Sequence, residues 1–421
     1  MRQESIQARL MFRMAAASGL LALLLWQRVP ARAESLTFHE AVSAAWAIDP
    51  GRSALLVNRS TADARADAAK SWFPGGPTVN GQYFDDHAVG SNEGYTTYQG
   101  GVSVPLWLPG QGSATVRVAQ AESATVQERL NVEHMAVAVR VLDAAAAEIV
   151  AERREAIALS LRGAMQRIEG AVRGAVHAGE AAVTDRDAAA ADLANARTEV
   201  ENAREQRITA ASLLAELLGR PGLPDIMFYD DRSLGRTRIG TPQLVEDNDP
   251  RVRAAHRAVM AAEEGLKLAR ASFMPNPEVG IAAIHEKQYG SPWDNRVGVN
   301  VTIPLPSEAR NVPIMADARN KVAAADSDER QARRMVRLEL AQVRARVDAA
   351  AEALGNARVA AGALNKRAND MERSWRLQET SLVEALRARQ GAYTALLTFN
   401  QAEVAWHTAI LRAMIATGFV P

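Results

Sequence analysis

The chain contains no cysteine, so neither disulfides nor thiolate metal sites hold it together. Its 49 basic residues balance 49 acidic ones, which removes the electrostatic footprint of a nucleic-acid partner. Aromatics make up only 5% of the residues although 48% are hydrophobic, because the apolar content is largely alanine. A composition rich in Ala, Arg and Glu fits long, closely packed helices better than a thick globular core. Beyond Trp26 no uninterrupted apolar run reaches the ~20 residues of a membrane-spanning helix. The seven histidines, His87, His285 and His407 among them, show no metal-ligand spacing such as His-Glu-x-x-His. Gly110-Gln111-Gly112-Ser113 starts like a phosphate loop, but no Gly-Lys-Ser/Thr follows, so it reads as a turn into a helix capped by Ser113. With no nucleophile and base constellation, the chain is read as no enzyme, with no catalytic residues, cofactor or metal site.

What is present begins with an export signal at residues 1–33. Arg2, Arg9 and Arg13 precede an apolar stretch from Met14 to Trp26, and Ala31-Arg32-Ala33 offers the small-x-small cleavage pattern, leaving Glu34 first in the mature chain. The competing reading, a membrane anchor, needs a longer apolar run. Without cysteine a lipidated N-terminus is excluded.

The mature chain is written twice. At a shift of 200, Asp49-Pro50 falls on Asp249-Pro250, Phe73 on Phe273, Pro77 on Pro277 and Val79 on Val279. At a shift of 199, Val102-Ser103-Val104-Pro105-Leu106 falls on Val301-Thr302-Ile303-Pro304-Leu305, Glu180 on Glu379 and Gly219 on Gly418. Solenoid units run roughly 20 to 50 residues, so this repeat is half a domain and implies a pseudo-symmetric fold. The division expected is a first repeat at 34–219, a linker at 220–236 and a second repeat at 237–421.

Each repeat reads as a helix, a hairpin, a very long helix, a turn and a long helix. Thr37-Phe38-His39-Glu40 has the spacing of a capping box, and Thr241-Pro242 that of an N-cap with Pro at the first helical position. Both first helices should run to proline clusters, Pro74 to Pro77 and Pro275 to Pro277. The period then changes from 3.6 to 2. Val79, Gly81 and Tyr83 alternate with Asn80 and Gln82, and after a turn through Asp85-Asp86 and Ser91 to Gly94 a second strand runs from about Tyr95 to Val104. In the second repeat the strands are Glu278 to about Glu286 and Asp294 to Ile303, with Val297, Val299, Val301 and Ile303 on one face. Their lengths approach the ~9–11 residues of tilted membrane barrel strands.

Leu340, Val343, Val347, Ala350, Leu354, Ala357, Ala361, Leu364, Ala368, Met371 and Trp375 follow an unbroken 3-4 spacing, a coiled-coil seam. The first repeat carries Val139, Leu142, Ala146, Ile149 and Ala156 in the same rhythm, interrupted at Arg153. The fold class expected is therefore mainly α with a small β part, built on duplicated helical hairpins. Four short strands cannot close a barrel, and an open edge in lipid leaves backbone groups unpaired at several kcal/mol each. Three subunits supply twelve strands and twelve long helical segments, so a homotrimer with a β-barrel above a helical tube follows. A soluble periplasmic coiled-coil adaptor or scaffold explains the helices equally well, but not the paired hairpins.

In this order, twice, Asp-Pro in the first helix, Pro-Asn-Pro-Glu-Val at 275–279, and Val-Pro-Leu and Ile-Pro-Leu after the hairpins resemble the TolC-type outer-membrane efflux channels over essentially the whole mature sequence. The resemblance implies a trimeric 12-stranded barrel in outer-membrane lipid, a periplasmic α-barrel, a periplasmic membrane-fusion adaptor and a proton-driven inner-membrane pump. It leans toward the heavy-metal cation branch, with drugs as the other cargo class.

The same resemblance directs attention to the helical turns. Gly174, Gly179 and Glu180 in the first repeat, and Gln378 and Glu379 in the second, match the turns on which the adaptor docks, with Gln378 standing where relatives carry Gly. Gly179 also reads simply as a helix terminator in left-handed conformation. Just beyond the turn, relatives carry an Asp-x-x-Asp pair at a narrow periplasmic aperture. The matching positions are Glu384 and Arg387, with Asp185 and Ala188 in the first repeat. A threefold Glu384 ring would favour cations. Arg387, three residues on, stands where it would pair with Glu384 and neutralise that ring, and Ser381 to Glu384 reads alternatively as a capping box.

Overall fold

The structure, a computed structural model, describes residues 36–86, 94–229, 242–288 and 290–418. The export signal, His87, Ser91 to Glu93, linker residues 230–236 and the Thr241 cap lie outside the described residues. Among those described, eight helices and four strands follow one another in a repeated order.

Helix α1 spans Phe38–Ile48 and opens with the expected capping box: Thr37 Oγ1 accepts from the Glu40 amide at 3.2 Å, and the Thr37 amide donates to Glu40 Oε2 at 2.9 Å. It does not run on to the prolines as a single helix. Pro50 forces the residue before it out of the helical region. Asp49 accordingly sits extended (φ −62°, ψ 125°) and caps a new helix, α2 (Pro50–Ala68), by accepting from the Arg52 amide at 2.8 Å. The second repeat breaks in the same way between α5 (Pro242–Asn248) and α6 (Pro250–Ala271), where Asp249 accepts from Arg251. Asp-Pro is thus a joint between two helices, and α2 and α6 end a few residues ahead of the proline clusters.

The strands are β1 (Thr78–Asp85), β2 (Thr96–Pro105), β3 (Glu278–Lys287) and β4 (Asp294–Thr302), close to the expected limits. They form one antiparallel sheet in chain order. Opposed residues share a face, so the rows Val79–Val102–Ile281–Val299 and Tyr83–Tyr98–His285–Asn295 lie on one side of it, and the row Gln82–Gln99–Ile284–Arg296 on the other.

From β2 the chain enters α3 (Gln111–His177), 67 residues or about 100 Å at 1.5 Å per residue. Ser113 is not its cap. Gly110 takes a left-handed conformation (φ 79°) that starts the helix at Gln111, and the Ser113 hydroxyl, already inside the first turn, donates to the Gly110 carbonyl at 3.0 Å. Helix α4 (Val183–Leu218) returns alongside it, and α7 (Glu308–Arg376) and α8 (Leu382–Ala416) repeat the hairpin. Near the sheet the helices lie in the order α2, α3, α6, α7; at the far end the order is α4, α3, α8, α7. The molecule is a wall about four helices wide at both levels.

Small residues allow this close packing. Ala138, Ala145, Ala158 and Ala203 are 0% exposed, so backbones approach where bulky side chains would hold them apart. In α7 the seam is buried as its spacing requires, at Leu340, Val343, Val347, Leu354, Ala357, Ala361 and Ala368. In α3 it departs from expectation: Ala156 is exposed and the stripe resumes at Ala158, Leu161, Met165, Ile168 and Val172. Arg153 and Arg154 fall on the stripe and turn away to carboxylates, Glu403 and Glu199, which shifts the buried line by two residues. Residues 220–229 are packed rather than free: Leu36 pairs with Pro224, Ile226 is fully buried, and His407 Nδ1 donates to the Tyr229 carbonyl at 2.7 Å.

Candidate functional site

The sheet presents a face that water does not favour. Val79, Ile281, Val297 and Val299 are 81, 64, 77 and 74% exposed, and Val102, Val301 and Ile303 extend the same apolar surface. At the end away from the helices it closes in aromatics: Tyr83 packs on Tyr98, Tyr98 on His285, and His285 stacks on Trp293 at 4.3 Å and 5°. From the Val104–Val279 row to the Tyr98–His285 row is six residues, or about 20 Å along a strand. An apolar band ending in an aromatic girdle is the outer surface of a membrane barrel. The opposite face carries Asn80, Gln82, Gln99, Ser103, Glu278, Arg296 and Asn300, the chemistry of a wet lumen. The outer edges of β1 and β4 pair with no other described strand.

Between sheet and wall lies a polar joint that explains the Pro-Asn-Pro motif. Asn276 Nδ2 donates to the Leu106 carbonyl at 2.8 Å and to Gln111 Oε1 at 2.7 Å. Gln111, itself buried, accepts from the Leu108 amide and donates to Ser272 Oγ at 3.2 Å. The second repeat is thereby pinned to the first where strands become helices.

At the far end both hairpin turns adopt one geometry. In the first, the Gly179 amide donates to the Val176 carbonyl and the Glu180 amide to that of Ala175; in the second, Gln378 donates to Trp375 and Glu379 to Ser374. This is the Schellman arrangement, which requires a left-handed residue after the helix. Gly179 supplies it at φ 78° and Gln378 at φ 60°, the only non-glycine residue with positive φ among those described. Gly174 lies inside α3, where its carbonyl accepts from the Ala178 amide.

Asp185 is half-buried in the first turn of α4. Glu384 and Arg387 are exposed on the first turns of α8 and do not pair, because Glu384 stays at the helix start with its amide on Ser381 Oγ at 3.3 Å. The hydroxyl half of the capping box is therefore formed. Arg387 instead lines a groove of about 560 Å³ with Ala188, Asp192, Glu199 and Tyr393, so the second position of each pair, but not Asp185 or Glu384, faces this groove between α4 and α8.

That groove holds a three-helix contact the sequence reading missed. Tyr393 Oη on α8 donates to Glu199 Oε1 on α4 at 2.7 Å, and Arg154 on α3 donates to the same oxygen at 2.7 Å. Burial pushes the Tyr393 hydroxyl well above its ordinary value, reinforced by Glu199, so it remains a donor. For Glu199 burial acts upward, but the hydrogen bonds from Arg154 and Tyr393 outweigh it and hold the carboxyl below its usual value. Below it, Glu372 on α7 binds both Arg376 and Arg389, tying α7 to α8. The two partners of Glu199 lie 45 and 194 residues from it, and only periodicity on facing helices could have suggested them. Among the described residues no three His, Asp or Glu side chains gather in metal-ligating geometry.

A helical wall joined to a sheet with one apolar and one polar face defines a membrane channel subunit. Residues 241–418, fewer than half of the chain, match the family model described as outer membrane efflux protein. Proteins of that family are outer-membrane transport conduits rather than enzymes. Among solved structures the chain is similar to CusC, described for the conformational changes of its folding and transmembrane channel formation, with a TM-score of 0.75, 16% identity, and 91% of this chain and 92% of that one covered. The open state of the Neisseria gonorrhoeae MtrE outer membrane channel gives 0.70 at 17% identity, covering 91% and 89%. The Vibrio cholerae outer membrane protein VceC gives 0.70 at 15%, covering 91% and 97%. Identities this low speak to the fold alone. No curated protein sequence matches the chain.

Proposed function

We propose that the chain is the outer-membrane conduit of a tripartite efflux system, in which three copies close a twelve-stranded barrel and their helical walls continue as a tube into the periplasm. The observation that carries this reading is the four-stranded sheet with an exposed apolar face and two unpaired edges, because backbone groups at an edge in lipid must find partners on another chain. A soluble coiled-coil adaptor, the other reading of the helices, would have no use for such a face. The turns at Gly174 to Glu180 and Gln378 to Glu379 form the docking end for a periplasmic membrane-fusion adaptor, which links the tube to a proton-driven inner-membrane pump. Asp185 and Glu384 stand near the aperture as acidic rings in the trimer, with Arg387 as an opposing cationic ring. The cargo favoured is heavy-metal cations, with drugs the alternative.

Reversal potentials across planar bilayers test the aperture. Glu384→Gln should lower the preference for cations over anions, and Arg387→Ala should raise it. Unchanged selectivity in both variants removes these residues from the aperture. Survival of a deletion strain on metal salts and on hydrophobic drugs separates the cargo classes.

A further inference from the structure

The two hairpins repeat at shifts of 200 and 199 residues, so each residue of the joint where they meet inside the chain has a counterpart position at the sheet's free edges. Inside, the segment after β2 meets the segment before β3. The Leu106 amide donates to the Pro277 carbonyl at 2.7 Å, and the Gln111, Ser272 and Asn276 network closes the joint. The counterparts of Leu106 and Gln111 are Leu305 and Arg310; those of Ser272, Asn276 and Pro277 are Trp72, Gly76 and Pro77. These two sets lie on opposite flanks of the molecule, one after β4 and one before β1.

The chemistry differs between the two joints. Gly76 has no side-chain carboxamide to replace that of Asn276, and Trp72 has no hydroxyl to receive a side-chain donor. What the free flanks offer instead is an indole that is 90% exposed on one side, and on the other Leu305 at 81% with an exposed Arg310. Indole, leucine and guanidinium stem suit one another, through apolar burial and stacking of Arg on the ring.

We propose that Trp72 is a docking knob for a second copy of this chain, seated against Leu305 and Arg310 of the neighbouring subunit just below the barrel. The inference rests on the reading of the chain as a barrel-forming oligomer. It makes the joints under the barrel alternate: polar within each chain, apolar and cationic between chains. The geometry of the internal joint names the occupant, since the same backbone pairing continued around the barrel brings these flanks together.

The absence of cysteine makes the test clean. Two differently tagged chains, one carrying Trp72→Cys and the other Arg310→Cys, the counterparts of the bonded Ser272 and Gln111, are co-expressed and oxidised in membranes. A disulfide-linked heterodimer on non-reducing gels is expected, with none when Arg310→Cys is replaced by Leu338→Cys farther along α7. Trp72→Ala should speed dissociation of the purified oligomer about tenfold, as removal of a central aromatic anchor does, while Trp72→Phe largely restores it and helical circular dichroism stays constant. An oligomer that conducts, yields no heterodimer and shows Trp72 fluorescence quenched by brominated lipid overturns the proposal and assigns Trp72 to the membrane, leaving the conduit standing. Failure to find any oligomer or pore overturns both.

Discussion

Replacing Gln378 by glycine should tighten the second hairpin turn, and the structure supplies the size of the effect. Gln378 holds φ 60° so that its amide and that of Glu379 reach Trp375 and Ser374, both at 2.9 Å. A side chain in the left-handed region costs about 1–2 kcal/mol, while glycine gives back about 0.5–1 kcal/mol through its freer unfolded state. The net gain for Gln378→Gly is therefore about 0.5–1 kcal/mol. Nothing stands within 4 Å of the Cβ position at Gly179, so Gly179→Gln meets no clash and should lose a comparable amount through backbone conformation alone. Amide hydrogen exchange reads both locally. In Gln378→Gly the Gln378-position and Glu379 amides should exchange about twofold to fivefold more slowly, and in Gly179→Gln the Glu180 amide should exchange faster by a similar factor. Unchanged or faster exchange at Glu379 in Gln378→Gly refutes the reasoning, and points to a side-chain contact of Gln378 that outweighs the backbone cost.

Asn276→Ala removes donors to Leu106 and Gln111 at a half-buried joint and should cost about 1–2 kcal/mol, seen as a lower thermal midpoint of the detergent-solubilised protein; Asn80→Ala, on the polar face of the sheet, serves as the comparison. The Glu199 carboxyl has a lowered folded pKa, so its contribution is present above the ordinary carboxylate value of 4.5 and is lost as the pH falls through the folded value. Exchange in residues 193–206 should therefore quicken as acid passes below about pH 4.5, and Glu199→Gln should flatten that dependence. Tyr393→Phe should release one charge-assisted bond, worth about 1 kcal/mol at this partly exposed site, and raise exchange in the same segment.

The hairpins were legible because period-2 alternation ended in prolines at matched places in both repeats, and β2 and β3 begin and end within two residues of where that pattern puts them. The α7 seam was equally legible, since nothing polar interrupts its spacing. Where reading failed, local chemistry overrode the pattern. Asp49-Pro50 looks like part of a helix until the restriction on the residue before proline is applied, and Arg153 with Arg154 displaces the α3 stripe by recruiting carboxylates from other helices. Gly110 rather than Ser113 begins α3, because a left-handed glycine sets the turn one residue ahead of the helix. The groove of Arg154, Glu199 and Tyr393 was beyond reach, as no local motif announces a contact among three helices. The turns at Gly179 and Gln378 were visible as a departure of one residue type from another; that both take the same left-handed geometry was not.

Single-channel recording of the detergent-purified oligomer in planar bilayers bears most directly on the claim that these strands complete a pore only between chains. Discrete, ohmic conductance steps from a particle with the mass of three chains are predicted. A water-soluble monomer, its strands covered by its own helices and silent in bilayers, would contradict it.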